Sequence, residues 1–296
     1  MLAATAAALN RGFRYWALLP AVLLFVALTL YPTANLLRMS VSTIEFAEGR
    51  AHWSFTPAHN VALLASDVVL RPAIVNTAIF VVVAVAAEVF LGLLLALFIA
   101  RLERGKGLAR TVMILPMLVP PVAIGSMWKL MYNYDFGLFN QAFTAIGLEP
   151  VNWLGSTSVA LAAVILVDIW HWIPFVFLIL FAAVEGIPSD VIEAARIDGA
   201  TTGQIARRIM VPLLKPALAI AFVFRGILAF KTFDEVYLLT SGGPGTSTEL
   251  VSLHLYKVFF EQNLLGYGAL LSLALIAAIA SALLMSRRAL AGRKRR

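Results

Sequence analysis

Six long apolar runs divide the chain, and each is long enough to form a helix that crosses a bilayer. They cover about residues 15–37, 73–100, 108–132, 159–184, 213–235 and 264–285. About 20 apolar residues in a helix span the roughly 30 Å hydrocarbon layer. Barrel strands are shorter and alternate with a period of two, which these runs do not. The pattern predicts an all-α membrane protein with six transmembrane helices in a single domain.

Composition and charge agree with a membrane protein and suggest its orientation. The chain is 61% hydrophobic and only 13% charged, which is outside the range of soluble domains. Most of its 23 Lys and Arg residues precede the first run, follow the second and fourth runs, or form the tail. The positive-inside rule therefore predicts that both termini are cytoplasmic. A basic tail directly after a span is typical of contact with anionic lipid, so nucleic acid is not expected as a partner.

The first run has a basic start like a secretory signal, but it continues for about 23 residues without a small-x-small cleavage site. We expect it to be retained as the first span. The chain has no cysteine and only four His, which show no metal-binding spacing. Gly105-Lys106 is the only Gly-Lys pair, and its surroundings lack the spacing of a P-loop. We therefore expect no catalytic residue, and no metal or cofactor bound by this chain.

A polar segment at about residues 185–212 separates the fourth and fifth runs and predicts a first short helix. Asp190 stands three residues before Glu193, which is the spacing of a capping box at a helix start. Gly199 supplies the left-handed turn that commonly ends a helix. We expect the first short helix to lie between these signals.

A second short helix is predicted directly after that turn. Thr201 stands three residues before Gln204 and repeats the capping-box spacing. The two helices would form an elbow, and the small side chains of Ala194 and Ala195 would let a groove of another protein approach closely. The alternative is an ordinary amphipathic connector between two spans.

The elbow carries a motif that resembles a known family. Glu193-Ala194-Ala195, Gly199, Ile209 and Val211-Pro212 are spaced as in the EAA loop of permease subunits of binding-protein-dependent ABC importers, with Val211 where Leu is usual. Other segments resemble the carbohydrate-uptake branch, the maltose and glycerol-3-phosphate permease type: Trp170, Pro174-Phe175, Ile187-Pro188, Phe233-Asp234-Glu235 and Leu239-Thr240-Ser241-Gly242-Gly243-Pro244. Gly203 and Ala206 depart from this branch, which often has bulky aromatics there.

The resemblance implies a type I ABC importer permease fold with a cytoplasmic coupling-helix loop, in a bacterial inner membrane. It implies four kinds of partner: a second permease subunit of similar fold, two ATPase subunits that hold ATP and Mg, an external solute-binding protein, and membrane lipid. The permease would form the path for a sugar or sugar-like solute. The ATPase-docking residues that it implies are Glu193, Ala194, Ala195, Asp198, Gly199, Ile209 and Pro212.

Polar and aromatic residues within the spans are the candidates for the solute path. A charge at the bilayer centre costs at least about 2.5–3.5 kcal/mol and tends to face protein or a water-filled cavity. The candidates are Glu88, Asp168, Trp170, His171, Trp172 and Arg225. Each has a structural alternative: a carboxylate that accepts hydrogen bonds from a neighbouring helix, an aromatic packing cluster, or an arginine that pairs with a carboxylate rather than with an anionic solute.

Lys231, Asp234 and Glu235 have the spacing of one helix face, and we expect them to satisfy one another there. Three other functions remain open. Arg225 would suit an importer of glycerol-phosphate-type anions. An ion-gradient-driven transporter would show two inverted halves, and no such internal symmetry is present. A membrane adaptor would use the elbow but leave the charges within the spans unexplained.

Overall fold

The computed structural model describes residues 2–47 and 49–292. The helices of this part of the chain are α1 (Leu2–Ser40), α2 (Pro57–Ser66), α3 (Leu70–Ala100), α4 (Lys106–Leu118), α5 (Pro121–Met131), α6 (Leu138–Ala145), α7 (Ala160–Glu185), α8 (Ser189–Ile197), α9 (Thr202–Ile205), α10 (Val211–Leu213), α11 (Lys215–Phe230), α12 (Asp234–Leu239), α13 (Val251–Tyr256) and α14 (Leu265–Gly292). Two π-helical turns, Ala206–Met210 and Lys257–Glu261, lie between helices. Strands β1 (Ser42–Ala47) and β2 (Arg50–Phe55) pair antiparallel.

The described residues fall into two compact units. The first is drawn from Met1–Ser66 and Leu255–Ala277, and the second from Asp67–His254 and Ala278–Arg296. In the first unit, the buried Asn60 amide donates to the carbonyl oxygens of Ser40 at 2.9 Å and Ser42 at 3.1 Å. This side chain therefore joins α2 to the end of α1 and the start of the hairpin. The hairpin is a local addition to an otherwise helical chain and was not predicted.

The second unit is built on the crossing of α3 and α7. Gly92 allows the close approach, because a Cβ at this position would lie 2.8 Å from Val176 Cγ1 and 3.2 Å from the Phe177 nitrogen. Two apolar cores lie along these helices. One is centred on Phe80, Ile124 and Val164. The other joins α3 and α7 to the polar segment through Phe177, Leu180, Ala195, Ile205 and Leu214.

Four of the predicted spans appear as single long apolar helices. They are Ala17–Ser40, Leu70–Ala100, Ala160–Glu185 and Leu265–Ala282. Within the described residues, the total rises to six only if each of two bent helix pairs counts as one span. The count of six transmembrane helices therefore stays a prediction.

The third span, predicted over residues 108–132, is not one helix. Helices α4 and α5 meet at an angle of 93°. Val119 is extended, with φ −78° and ψ 128°, and Pro120 and Pro121 follow it. Proline removes a backbone donor and restricts the residue before it to extended conformations, so the helix stops at Leu118 and restarts at Pro121.

The fifth span, predicted over residues 213–235, ends at Phe230 and is preceded by a 65° bend between Thr202–Leu213 and α11. The expected mutual pairing of Lys231, Asp234 and Glu235 is therefore wrong. Lys231 caps the end of α11, while Asp234 starts a separate helix, α12. The expected pairing needed one continuous helix, in which residues three and four positions apart share a face. The helix is interrupted between Phe230 and Asp234, so Lys231 does not share a helix face with Asp234 and Glu235.

The tight crossing of α3 and α7 predicts that two glycine-to-alanine substitutions differ in their effect on stability. Gly92→Ala should destabilise the protein relative to Gly226→Ala, because nothing lies within 4 Å of a Cβ at Gly226. Both gain the helix preference of alanine, about 1 kcal/mol, but Gly92→Ala also overpacks the crossing at about 1–3 kcal/mol. Thermal unfolding in detergent measures the difference. Equal midpoints for the two variants would contradict the crossing.

Candidate functional site

The polar segment folds as the predicted elbow, although its first cap differs from the expectation. Helix α8 begins at Ser189 after Pro188, and no side chain caps it. The expected capping box of Asp190 and Glu193 is therefore wrong, because Asp190 already lies inside the helix. Pro188 with φ −57° starts the helix instead.

The turn and the second cap agree with the prediction. Gly199 has φ +79°, a left-handed conformation directly after Asp198, the C-cap of α8. The Thr201 nitrogen donates to Gln204 Oε1 at 2.8 Å, and the Gln204 nitrogen donates to Thr201 Oγ1 at 3.3 Å. This reciprocal pair is a complete capping box. It sets the start of α9 directly after the turn.

The elbow has an inner face and an outer face. Ala195 and Ile205 are buried in the core shared with α3 and α7, at 8% and 5% exposure. Ile197 is 86% exposed and Val191 is 40% exposed. Ile197 and Val191 therefore give the outer face of α8 exposed apolar side chains beside its charged ones.

Among the docking candidates, Glu193, Ala194, Asp198, Gly199 and Pro212 are exposed, Ala195 is buried, and Ile209 is half-buried. Sequence reasoning missed Ile197, which has the largest exposed apolar side chain of α8. The available signal was its spacing from Ala195. Residues two positions apart in a helix lie on roughly opposite faces, so Ile197 lies on the outer face when Ala195 is buried. A Cβ at Gly203 would meet nothing within 4 Å, so close packing does not require glycine at this position.

Two contacts hold the elbow to the neighbouring helices. Arg101, after α3, donates through Nη2 to the carbonyl oxygen of Thr202 at 3.4 Å. Lys106, at the start of α4, pairs with Glu185, at the end of α7, at 3.1 Å. Both contacts are exposed, so each adds little stability by itself. They lie at the points where the polar segment meets the membrane-spanning helices.

Three of the candidates within the spans form one buried ionic cluster. Arg225 on α11 contacts Glu88 on α3, with Nε 2.5 Å from Oε2 and Nη2 3.0 Å from Oε1. Arg225 Nη2 also pairs with Asp168 on α7. All three side chains have an exposure of 0%. The alternative in which these residues pair with one another is therefore the one observed.

The other three candidates lie beside this cluster. Trp172 holds its ring centroid 5.1 Å from Arg225 Cζ, which is a cation–π distance. His171 Nδ1 lies 2.9 Å from Glu235 Oε1, and both side chains are buried. Trp170 packs edge-on against Trp128 with their centroids 5.5 Å apart. The carboxylate that His171 contacts was missed, because Glu235 was assigned to a helix face that does not exist.

An aromatic cluster around Trp128 was also missed. Trp128 contacts Tyr132 and Phe139, and Tyr132 contacts Trp153, with centroid distances between 5.2 and 5.6 Å within this group. The Tyr132 hydroxyl donates to the Ala163 carbonyl at 3.0 Å. The four-residue spacing of Trp128, on α5, and Tyr132, which directly follows α5, was the available signal. No group of three or more His, Cys, Asp or Glu residues able to hold a metal occurs in the part of the chain that the structure describes.

Comparison with known families decides the class of protein. The model of the family described as binding-protein-dependent transport system inner membrane component matches residues 88–295. The chain belongs to this family. The family description makes it an inner membrane component of a binding-protein-dependent transport system, which is the permease class of ABC importers. This family description fits neither an ion-gradient-driven transporter nor a membrane adaptor.

Individual relatives support the assignment. The chain is 41% identical to the trehalose/maltose transport system permease protein MalF of Thermococcus litoralis, over 65% of this chain and 64% of that protein. A probable ABC transporter permease protein of Sinorhizobium fredii is 42% identical, over 62% of this chain and 60% of its own length. These two matches span less than two thirds of the relatives. The osmoprotective compounds uptake permease protein GgtC of Synechocystis is 34% identical, over 87% of this chain and 91% of its own length.

A solved structure confirms the fold. One chain of a bacterial ABC transporter for import of the acidic polysaccharide alginate superposes with a TM-score of 0.80 at 22% identity. The match covers 96% of this chain and 98% of that one. At this identity the likeness concerns the fold alone.

The ionic cluster predicts a strong effect of one substitution. Arg225→Gln leaves the Glu88 and Asp168 carboxylates buried without their cation, and breaking such a cluster costs about 3–5 kcal/mol. Lys106→Gln breaks only the exposed pair with Glu185 and should cost at most about 1 kcal/mol. Thermal unfolding of the two purified variants checks this. Arg225→Gln as stable as Lys106→Gln would contradict a stabilising cluster.

Proposed function

We propose that the chain forms part of the translocation path of an ATP-driven importer for a sugar or a sugar-linked solute delivered by an external binding protein. The names of its relatives support a carbohydrate: trehalose/maltose in Thermococcus litoralis and sulfoquinovosyl glycerol in Agrobacterium fabrum. A fold neighbour was solved with an alginate pentasaccharide-bound periplasmic protein, which supports delivery from outside.

The observation that carries the proposal is the elbow. Its inner face is anchored in the core of the spans through Ala195 and Ile205, while Ile197 projects from its outer face. A rigid element anchored on one side and apolar on the other is suited to receive a force from a partner. We infer that Glu193, Ala194, Asp198, Gly199, Ile209 and Pro212, with Ile197 added, form the contact region for an ATPase subunit. The buried Ala195 anchors this region from the inside and does not contact the partner.

The remaining parts of the complex follow from this role. Two ATPase subunits would bind ATP and Mg, and a second permease of similar fold would complete the path. In this arrangement the chain is one permease domain of six spans, with each bent helix pair counted as one. The elbow and both termini would lie on the cytoplasmic side, as the basic residues indicate. Loading outside and ATP turnover inside would then be coupled reciprocally.

The contacts of Arg225 favour a carbohydrate over a glycerol-phosphate-type anion. The guanidinium is fully buried and contacts two carboxylates, so no net positive charge is available for a phosphate ester. We propose that Glu88, Asp168 and Arg225 join the helices that line the path, without binding the solute. The half-buried Trp170 and Trp172 remain the candidates for stacking on a sugar ring.

The decisive experiment measures ATP hydrolysis by the complex of this chain, its partner permease and its ATPase in proteoliposomes. Binding protein is added either empty or loaded from a panel of sugars, polyols and glycerophosphates. We expect stimulation by a sugar-loaded binding protein and none by the empty one. Stimulation only by a glycerophosphate would reject the carbohydrate, and failure to capture any ATPase would reject the docking role.

The exposed isoleucine allows a narrower test of docking. Ile197→Ser should reduce co-purification of the ATPase and its stimulated turnover, because it removes an apolar anchor that few neighbours could replace. Ile146→Ser is the matched control, since Ile146 is 73% exposed after α6, outside the elbow. Equal ATPase capture by both variants would show that Ile197 is not at the interface.

A further inference from the structure

The first compact unit holds a cavity between the hairpin, α2 and the start of α14. Its volume is about 230 Å³, whereas a single water molecule needs about 10–15 Å³ by the same measure. The lining residues come from β1, α2 and residues 263–267, and all of them belong to this one unit. The cavity therefore has room for a small ligand.

The side chain of Asn60 lines this cavity in an orientation that the backbone fixes. Asn60 is 2% exposed, and its amide nitrogen donates to the carbonyl oxygens of Ser40 and Ser42. These two bonds use both hydrogens of the amide, so Oδ1 faces away from them. Within the described residues, Asn60 Oδ1 accepts no hydrogen bond. A buried acceptor held in this way needs a donor from water or from a ligand.

The start of α14 lies directly against Asn60 because residue 266 is glycine. A Cβ at Gly266 would lie 2.0 Å from the Ser42 carbonyl oxygen and 2.8 Å from Asn60 Nδ2. Leu265 and Gly266 also line the cavity, and the N–H groups of the first helical turn have no partner within the helix. Donors of α14 and an acceptor of Asn60 therefore lie at the same cavity.

Three more polar side chains line the cavity at exposed positions. Glu45, His59 and Asn263 make no side-chain hydrogen bond or ion pair in the part of the chain that the structure describes. Ile44 and Leu63 add an apolar wall. A few convergent polar groups beside apolar side chains are the usual composition of a small-molecule site.

The lining favours a neutral ligand that can both donate and accept hydrogen bonds. A helix start attracts anions, but the cavity is lined by the Glu45 carboxylate and by no Lys or Arg, so an anion would be repelled there. A cation would meet the positive end of the α14 dipole. A hydroxyl group both donates and accepts, and it can therefore pair with Asn60 Oδ1, with Glu45 and with the donors of α14.

We propose that this cavity binds a small neutral molecule rich in hydroxyl groups, of the sugar or polyol class. None of the solute-path candidates lines the cavity, so this is a separate site. The proposal depends on the proposed function only for its location, which is the external side when both termini are cytoplasmic. A bound molecule joins β1 and α2 to the start of α14, which is distant in sequence. Binding therefore protects these three segments against local opening.

Hydrogen exchange of backbone amides tests the site in the complex of this chain with its partner subunits, without binding protein or ATP. The probes are glucose, trehalose, glycerol and glycerol 3-phosphate, each titrated through the millimolar range. We expect at least one neutral probe to slow exchange several-fold in peptides from β1, α2 and residues 263–267. The effect should saturate and stay local, because general stabilisation by sugars excluded from the protein surface does neither.

Two substitutions on α2 form a matched pair. Leu63→Trp fills the cavity, while Val61→Trp places the same ring at a 55% exposed position that does not line it. We expect the protection to disappear in Leu63→Trp and to persist in Val61→Trp. Glu45→Gln should raise the half-saturating concentration several-fold, because hydrogen bonds to a charged acceptor are stronger than those to an amide.

Four results would each overturn the site: no protection by a neutral probe, protection that does not saturate or lies only in the spans, equal protection in Leu63→Trp and Val61→Trp, or protection by glycerol 3-phosphate alone. If Leu63→Trp does not fold, Glu45→Gln decides, and an unchanged half-saturating concentration in that variant would contradict the proposal. Failure of this site leaves the proposed transport function unaffected, because uptake and ATPase stimulation measure that function separately.

Discussion

The structure depends most on one buried arginine. Arg225 joins α3, α7 and α11 through Glu88 and Asp168, in a region where no side chain of the three is exposed. Three charges in a low-dielectric interior are tolerated only as a group, because each alone would carry a large desolvation cost. The pairing makes α3, α7 and α11 neighbours and fixes the positions along each helix at which they meet. The glycine crossing at Gly92 and the aromatic packing around Trp128 then bring these helices together.

The second constraint is the set of breaks in the helices. Prolines stop α4 before α5, so the third apolar run is divided into two helices. A second bend separates α10 from α11 at the start of the fifth run. Such breaks free backbone groups that must be satisfied by neighbouring protein, which is why they occur within a packed bundle. The break before α11 also turns the chain from the elbow into the spans. The elbow therefore packs against the helices that carry Arg225 and its partners, through a shared apolar core.

The elbow presents an apolar side chain on an anchored base. Its inner face is held through Ala195 and Ile205, which are buried in the core shared with α3 and α7. Near the start of α3, outside the spans, polar contacts join distant parts of the chain, among them the contact of His254 with Asp67. The ends of α3 are therefore held by different means, apolar packing beside the elbow and hydrogen bonds at its start.

The sequence by itself determined the class of the protein and the parts that depend on local rules. Apolar length indicated the spans, the left-handed turn at Gly199 and the box of Thr201 and Gln204 followed from backbone preferences, and the motif of the elbow indicated the family. Only the tertiary structure decided which polar residues pair. Glu88, Asp168 and Arg225 lie on three helices far apart in sequence, and Glu235 faces His171 because a helix ends at Phe230. Long-range ion pairs leave no periodic signal, since their partners are chosen by how the helices pack.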